Sequence, residues 1–441
     1  MAFGVLAALS GCAGMPASGP GQDATRTPRG GLFVLGTGEN QATPALEPVE
    51  SGAFAAKAAN ADYILIGEGH TVACDHLAQA RLLEALILAG RKPALGLEMV
   101  GVDRQATLDA YFGPGTADAR PLPARLAALA RDLDWPRTWG HPFELYAPVF
   151  KVALNGGARV FALNVPASVM SAYRKKGAQG LTEEERRLLP KQIIPPPEAQ
   201  RTALGAEFDR HAEMMRAKMD AAAKKGKASA APAPQNAQDD PRERFFRVQS
   251  IWDSKMAESA VATRKQGAGP LVILAGAGHV ERGWGIAHRL RALDPSARVL
   301  LVAPCRSDLG AGALPDPEVA DLFFFCPEEH KSRLGFSVEW RETSKQGQAR
   351  VTGVMPGSAA GKAGLQPEDL ILAAGGKPLT GLADLHAAAI KALRVEDDAP
   401  QAGQANEQAS KRKLTLRVFR AGLELEINLL LSRAPVTRKA P

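Results

Sequence analysis

From Tyr63 onward the chain alternates short unbroken apolar runs with stretches in which apolar residues recur every three or four positions. The runs Tyr63–Ile66, Ala94–Leu97, Arg159–Leu163, Leu271–Ala275, Arg298–Ala303 and Leu322–Phe325 predict strands buried on both faces. Helical periodicity fills the intervals: His76–Leu88, Gly101–Tyr111, Phe143–Leu154, Ala167–Lys176, Glu183–Leu188, Glu198–Met219, Pro241–Lys265 and Trp284–Leu290. In one of these, Asp240 is a cap, Pro241 takes the first turn, and Phe245, Val248, Trp252 and Met256 recur at helical spacing. Such alternation predicts an α/β fold: a mostly parallel sheet with helices on both faces. The pattern changes near Ser332, where strands at Arg333–Val338 and Val351–Val354, a helix at Ala383–Leu393 and a hairpin of Leu414–Phe419 with Leu423–Leu429 predict a small β-rich domain.

Composition adds the boundaries. At 441 residues, with 45% hydrophobic and 23% charged, two or three globular domains are expected. An Ala/Lys/Pro/Gln stretch at about 220–239 reads as a disordered insertion, and Asp397–Ser410 as another polar one. The net charge of +7 is spread over Arg174-Lys175-Lys176, Lys224-Lys225-Lys227 and Lys411-Arg412-Lys413, with no nucleic-acid module, so nucleic acid is not an expected partner. At the start, an apolar Met1–Ala8 precedes Leu9-Ser10-Gly11-Cys12, similar to a bacterial lipobox with Cys12 as the lipidated residue. This predicts a lipoprotein-type signal segment at 1–12, a flexible tether at 13–48, and a lipid anchor in the bacterial cell envelope, periplasm-facing or on the outer membrane. Of the other cysteines, Cys305 and Cys326 each end a predicted strand, and either pair or stay as buried thiols.

The chemistry lies where strands stop. The first ends in Gly67-Glu68-Gly69-His70 and the Leu271 strand in Gly276-Ala277-Gly278-His279, both Gly-x-x-His; two others end in Glu98 and Asn164. Ligands of open α/β sheets gather at the carboxyl ends of strands. One site with a rim of His70, Glu98, Asn164 and His279 is therefore expected.

Around these residues the chain resembles the ChaN-like haem-binding uptake family of the Tiki/ChaN superfamily. The resemblance runs through Ile66–His70, Gly96–Met99, Phe143–Pro148, Ala162–Pro166, Gln249–Ala257 and Ala275–Val280. It implies a ChaN-like domain at 49–328 with an appended helical subdomain over 167–264, a lipoprotein that binds haem iron for uptake, and homodimers in some members. The family favours a tyrosine as axial ligand, for which Tyr146 and Tyr173 are the candidates. Arg174, Lys175 and Lys176 flank Tyr173 and suit propionates. His211, Met214 and Met215 share one helix and are further donors. The superfamily also includes metal-dependent peptidases, and this implies an alternative: a hydrolase holding zinc or manganese on His70, His279 and Glu98, with Glu68 or Glu98 as general base.

The C-terminal segment at 331–432, with Pro356-Gly357-Ser358-Ala359-Ala360-Gly361 and Gly364-Leu365-Gln366-Pro367-Glu368-Asp369, resembles a PDZ domain; 433–441 is a tail. The resemblance implies capture of a partner's C-terminus as an added strand, with the backbone N–H groups of Leu334, Gly335 and Phe336 cradling its carboxylate beside Arg333, and His386 on the groove helix.

Overall fold

The computed structural model describes residues 31–36, 45–223, 240–266, 269–306, 314–326, 330–332, 334–342, 347–355, 357–393 and 412–431. The chain divides into two compact units, Met1–Cys326 and Pro327–Pro441. The expected signal segment with Cys12, most of the insertion near 220–239 and the 433–441 tail lie outside the described residues.

In the first unit the strands are β1 (Leu32–Gly36), β2 (Ala45–Pro48), β3 (Tyr63–Glu68), β4 (Ala94–Gly101), β5 (Val160–Asn164), β6 (Leu271–Gly276), β7 (Val299–Cys305) and β8 (Leu322–Phe325). They form one sheet in the order β2-β1-β8-β7-β3-β6-β4-β5, with β3 to β8 mutually parallel and the β1–β2 hairpin antiparallel at the β8 edge. Within the expected flexible tether over 13–48, residues 32–36 and 45–48 are strands of this sheet: Phe33 pairs with Phe323, where its ring is buried. Side chains alternate across each strand. Ile64 and Ile66 enter one apolar layer, with Leu83, Leu86 and Phe150; Tyr63 and Leu65 enter the opposite one, with Met256, Ala260 and Leu290.

The same parity decides the cysteines. Cys305 lies in the second layer, whereas Cys326 lies in the first, beside Cys74 at the start of helix Ala73–Leu88. The disulfide is Cys74–Cys326, and the expected alternatives of a Cys305–Cys326 pair or two thiols give way to it.

Helix Pro241–Lys265 is capped by Asp240, whose Oδ1 accepts the Arg242 N–H at 2.9 Å. Its first half packs Val248 and Ile251 against Met170 and Tyr173 of helix Ala167–Lys176, and its second half packs Met256 to Val261 on the sheet. The helical region expected as an appendage is thus continuous with the sheet's own cover layer.

The second unit is an antiparallel sheet of β9 (His330–Ser332), β10 (Phe336–Glu342), β11 (Gly347–Val354), β12 (Leu370–Ala374), β13 (Lys377–Pro378), β14 (Arg412–Arg420) and β15 (Leu423–Leu431), ordered β15-β14-β12-β11-β10-β9 with β13 on β12. Helix Leu382–Leu393 buries Leu385 in a separate core with Phe336, Val351, Ile371, Leu416 and Leu429. His386 on this helix is exposed.

Candidate functional site

Register brings the two Gly-x-x-His motifs together. β3 and β6 are neighbours, and Glu68 stands opposite Gly276, so His70 and His279 leave adjacent strand ends in the same direction. β4 flanks β6 with Leu97 opposite Leu274, which delivers Glu98 to the same place. Glu98 Oε2 accepts the Gly276 N–H at 2.6 Å, and Oε1 lies 3.5 Å from His279 Nε2. Gly276 permits the approach: a Cβ there would lie 2.8 Å from His70 Cε1 and 3.0 Å from its Nε2.

Each imidazole is steered by a carboxylate on its other nitrogen. His70 Nδ1 meets Glu68 Oε1 at 2.9 Å, and His279 Nδ1 meets Asp253 Oδ1 at 2.6 Å. Such outer carboxylates fix ring orientation and raise ligand basicity. Glu68 is buried within His70, His76, Gln79 and Tyr146. Burial opposes its charge, yet the His76 and His70 imidazoles hold its carboxyl below the usual carboxylate range. Burial likewise opposes charge on His279, but Glu98 and Asp253 push its pKa up to about 9.

A second ring supports the first. Asp253 Oδ2 accepts from Gln200 Nε2 at 3.3 Å and lies 3.5 Å from the fully buried Arg289, which also donates to Gln200 Oε1 and to the Ile194 and Trp284 carbonyls. On the β3 side, Gly69 N–H donates to Asp75 Oδ2 at 2.7 Å, and Arg306 grips both oxygens of Asp75 and the Cys326 carbonyl. Aromatic rings flank the pair. His70 contacts Trp139 at 4.9 Å and His141 at 5.4 Å, and Trp252 meets His279 edge-on at 6.3 Å, with Trp139, His141 and Trp252 all partly exposed.

Of the expected rim, His70, Glu98 and His279 converge. Asn164 does not face them: its Nδ2 donates to the Glu98 carbonyl and its Oδ1 accepts the Val165 N–H, so it ties strand ends together. Glu68 stands behind His70 as a support. Tyr146 is buried, donating to Glu68 at 2.8 Å and accepting from Trp139 Nε1 at 2.9 Å; burial and then Glu68 raise its pKa well above 10. Tyr173 is packed in the cluster of Val165, Met170 and Ile251. The side chains of His211, Met214 and Met215 lie outside the described residues. Asp253, His76, Gln79, Trp139, His141 and Arg289 were not anticipated as site residues; an Asp inside the apolar stripe of helix Pro241–Lys265 was the available signal for the first.

Haem fits part of this set. Imidazole is a good axial donor and the partly exposed rings suit a flat macrocycle. A tyrosinate from Tyr63, Tyr111 or Tyr146 does not fit, because their hydroxyls are spent on Asp294, Asp132 and Glu68. Among the described residues no three His, Cys, Asp or Glu side chains form a metal-holding group as they stand.

In the second unit, the carboxylate loop is engaged by its own chain. Leu334 N–H donates to Ser332 Oγ at 3.2 Å, Gly335 N–H donates to the Ser332 carbonyl at 3.1 Å, and Phe336 pairs with Ser332.

Comparison with known proteins places both units. The family model for haem-binding uptake, Tiki superfamily, ChaN matches residues 54–290, and a PDZ-domain model matches 350–393. The chain belongs to this ChaN family of the Tiki superfamily and carries a PDZ domain. Among solved structures, one described as cofacial haem binding to ChaN of Campylobacter jejuni is similar, at 17% identity and TM-score 0.46, covering 67% of this chain and 96% of that one. The type III effector HopBA1 is similar at 13% identity and TM-score 0.33, over 63% and 91%. A mutant of the erythromycin esterase EreC in its open conformation is similar at 12% and 0.28, over 58% and 73%. No curated protein matches significantly.

Proposed function

We propose that this chain captures haem for iron uptake at the His70–His279 rim and docks a partner's C-terminus through its PDZ domain. The observation that carries the reading is the rim itself: two carboxylate-steered imidazoles edged by partly exposed Trp139, His141 and Trp252. Imidazole rather than tyrosinate is the axial donor in this reading. The proposal includes a lipid anchor at Cys12 and residence in the bacterial envelope; the Cys74–Cys326 disulfide supports an oxidising compartment. Among the described residues no helix is long and apolar enough to cross a membrane.

A second reading, a metal-dependent hydrolase, is favoured by the Nδ1–carboxylate pairs, an arrangement that orients histidine ligands. In that reading His70, His279 and Glu98 would hold a zinc or manganese ion, which would supply Lewis acidity there. Haemin titration separates the two. A stoichiometric Soret shift lost in both His70→Ala and His279→Ala supports haem capture. Haemin binding no stronger than to an unrelated apolar surface, together with stoichiometric zinc or manganese lost in the same variants, selects the hydrolase.

A further inference from the structure

Arg174 is a half-buried cation that the site so far leaves unused. It lies in the last turn of helix Ala167–Lys176, donates from Nε to the Met170 carbonyl at 3.2 Å, and places its guanidinium 5.7 Å from the Trp252 ring centre. Trp252 is the ring that meets His279. Three inward arginines face carboxylates (Arg289 faces Asp253, Arg306 faces Asp75, and Arg264 faces Asp62), whereas the half-buried Arg91 and Arg159 rest on the Ala59 carbonyl and the Phe161 ring, away from the histidines' aromatic edge. Among the described residues no carboxylate stands within ion-pair distance of Arg174, and burial lowers its pKa with no neighbouring charge to offset it. A guanidinium held partly out of water without an anion is unfavourable, and most of its five donors remain for a ligand.

We propose that Arg174 is the anion-binding arm of the His70–His279 site, and that it receives a carboxylate of the bound ligand. Tyr173 and Arg174 thus divide: the phenol is core and the guanidinium belongs to the site. Lys175 and Lys176 are exposed and take no part. The inference rests on the haem reading, in which the carboxylate is a propionate. The test titrates the full chain with haemin and with haemin dimethyl ester, which lacks the anions. Arg174→Gln should weaken haemin binding roughly tenfold or more, the scale of a charge-assisted hydrogen bond, and leave the ester unchanged. Arg174→Lys should restore part of the loss, and Lys175→Gln should bind both ligands as wild type does. Equal weakening of haemin and ester, or no weakening, overturns the role of Arg174. Failure of the wild-type chain to bind haemin removes the haem reading itself, and this inference with it.

A different observation carries a second inference, in the PDZ unit. β10 is bounded by β11 on one side and by β9 on the other, with Phe336, Ser337 and Val338 paired to Ser332, Lys331 and His330. A PDZ ligand adds as a strand beside its carboxylate loop. Here β9 holds that edge, and Ser332 places its hydroxyl and carbonyl oxygens on the loop amides of Leu334 and Gly335. Gly335 has φ +88°, and a Cβ there would strike Ser358, so the loop shape is held. We infer that β9 is an internal occupant of the peptide edge, which an incoming C-terminus must displace.

A labelled decapeptide with a free aliphatic C-terminus reads this out against its amidated form. The Lys331→Pro/Ser332→Pro variant, which removes the one N–H of this adjacent pair that faces β10 together with the Ser332 hydroxyl, should bind the free-acid peptide about tenfold tighter than wild type. Independently, saturating peptide on the wild-type chain should raise amide exchange in β9. Unchanged or weaker binding in the variant, or β9 amides that stay protected, overturns the inference.

Discussion

Glu68 shows how one side chain serves several others. Its oxygens take Tyr146, Gln79 and the imidazoles of His70 and His76, all buried. Glu68→Gln keeps the volume and deletes the charge, and removing one partner of a buried ion pair costs roughly 3–5 kcal/mol. Because the folded pKa is depressed, the carboxylate's contribution is complete above its ordinary value of 4.5 and is lost as pH falls through and below it. In urea titrations the deficit of Glu68→Gln should therefore be full at neutral pH and shrink below about pH 4. A deficit that does not change with acidification would contradict this. Glu68 and His70 were legible as strand-end polar residues, but which was donor and which was support was not, since a two-residue offset alone does not say which side chain faces outward.

Among the elements, the parallel strands were legible because burial on both faces leaves unbroken Val, Ile and Leu runs. The β1–β2 hairpin was not, being short and set among Gly, Pro and Thr. Helix Pro241–Lys265 was legible by its cap and apolar stripe, yet tracking apolar positions passes over Asp253, the polar residue it carries to His279. Asp253→Asn keeps the shape and loses the charge. It should weaken haemin binding about 10- to 100-fold, the usual cost of disturbing an outer-shell partner, with the Soret titration as readout. Wild-type affinity in Asp253→Asn would mean that His279 needs no such steering. Trp139 and His141 went unread because they sit just past a four-residue helix and on a bend, where no periodicity marks a face.

The whole molecule has separate cores in its two units. Calorimetry of the full chain should accordingly resolve two transitions. Reductant should lower only the one belonging to the first unit, which holds the Cys74–Cys326 bond, by an amount equivalent to about 2–5 kcal/mol. A single transition, or a shift in both, would count against independent units. Fold class and both families were legible from motif order; the cysteine partners were not, because spacing does not determine connectivity.

That bond joins positions 252 residues apart. When the oxidised chain is stripped of its fold, it is a large ring with two tails rather than a line, and its hydrodynamic radius is smaller. On a denaturing gel without thiol it should migrate ahead of the reduced chain, so band position reports at once whether a preparation acquired its cross-link during biosynthesis.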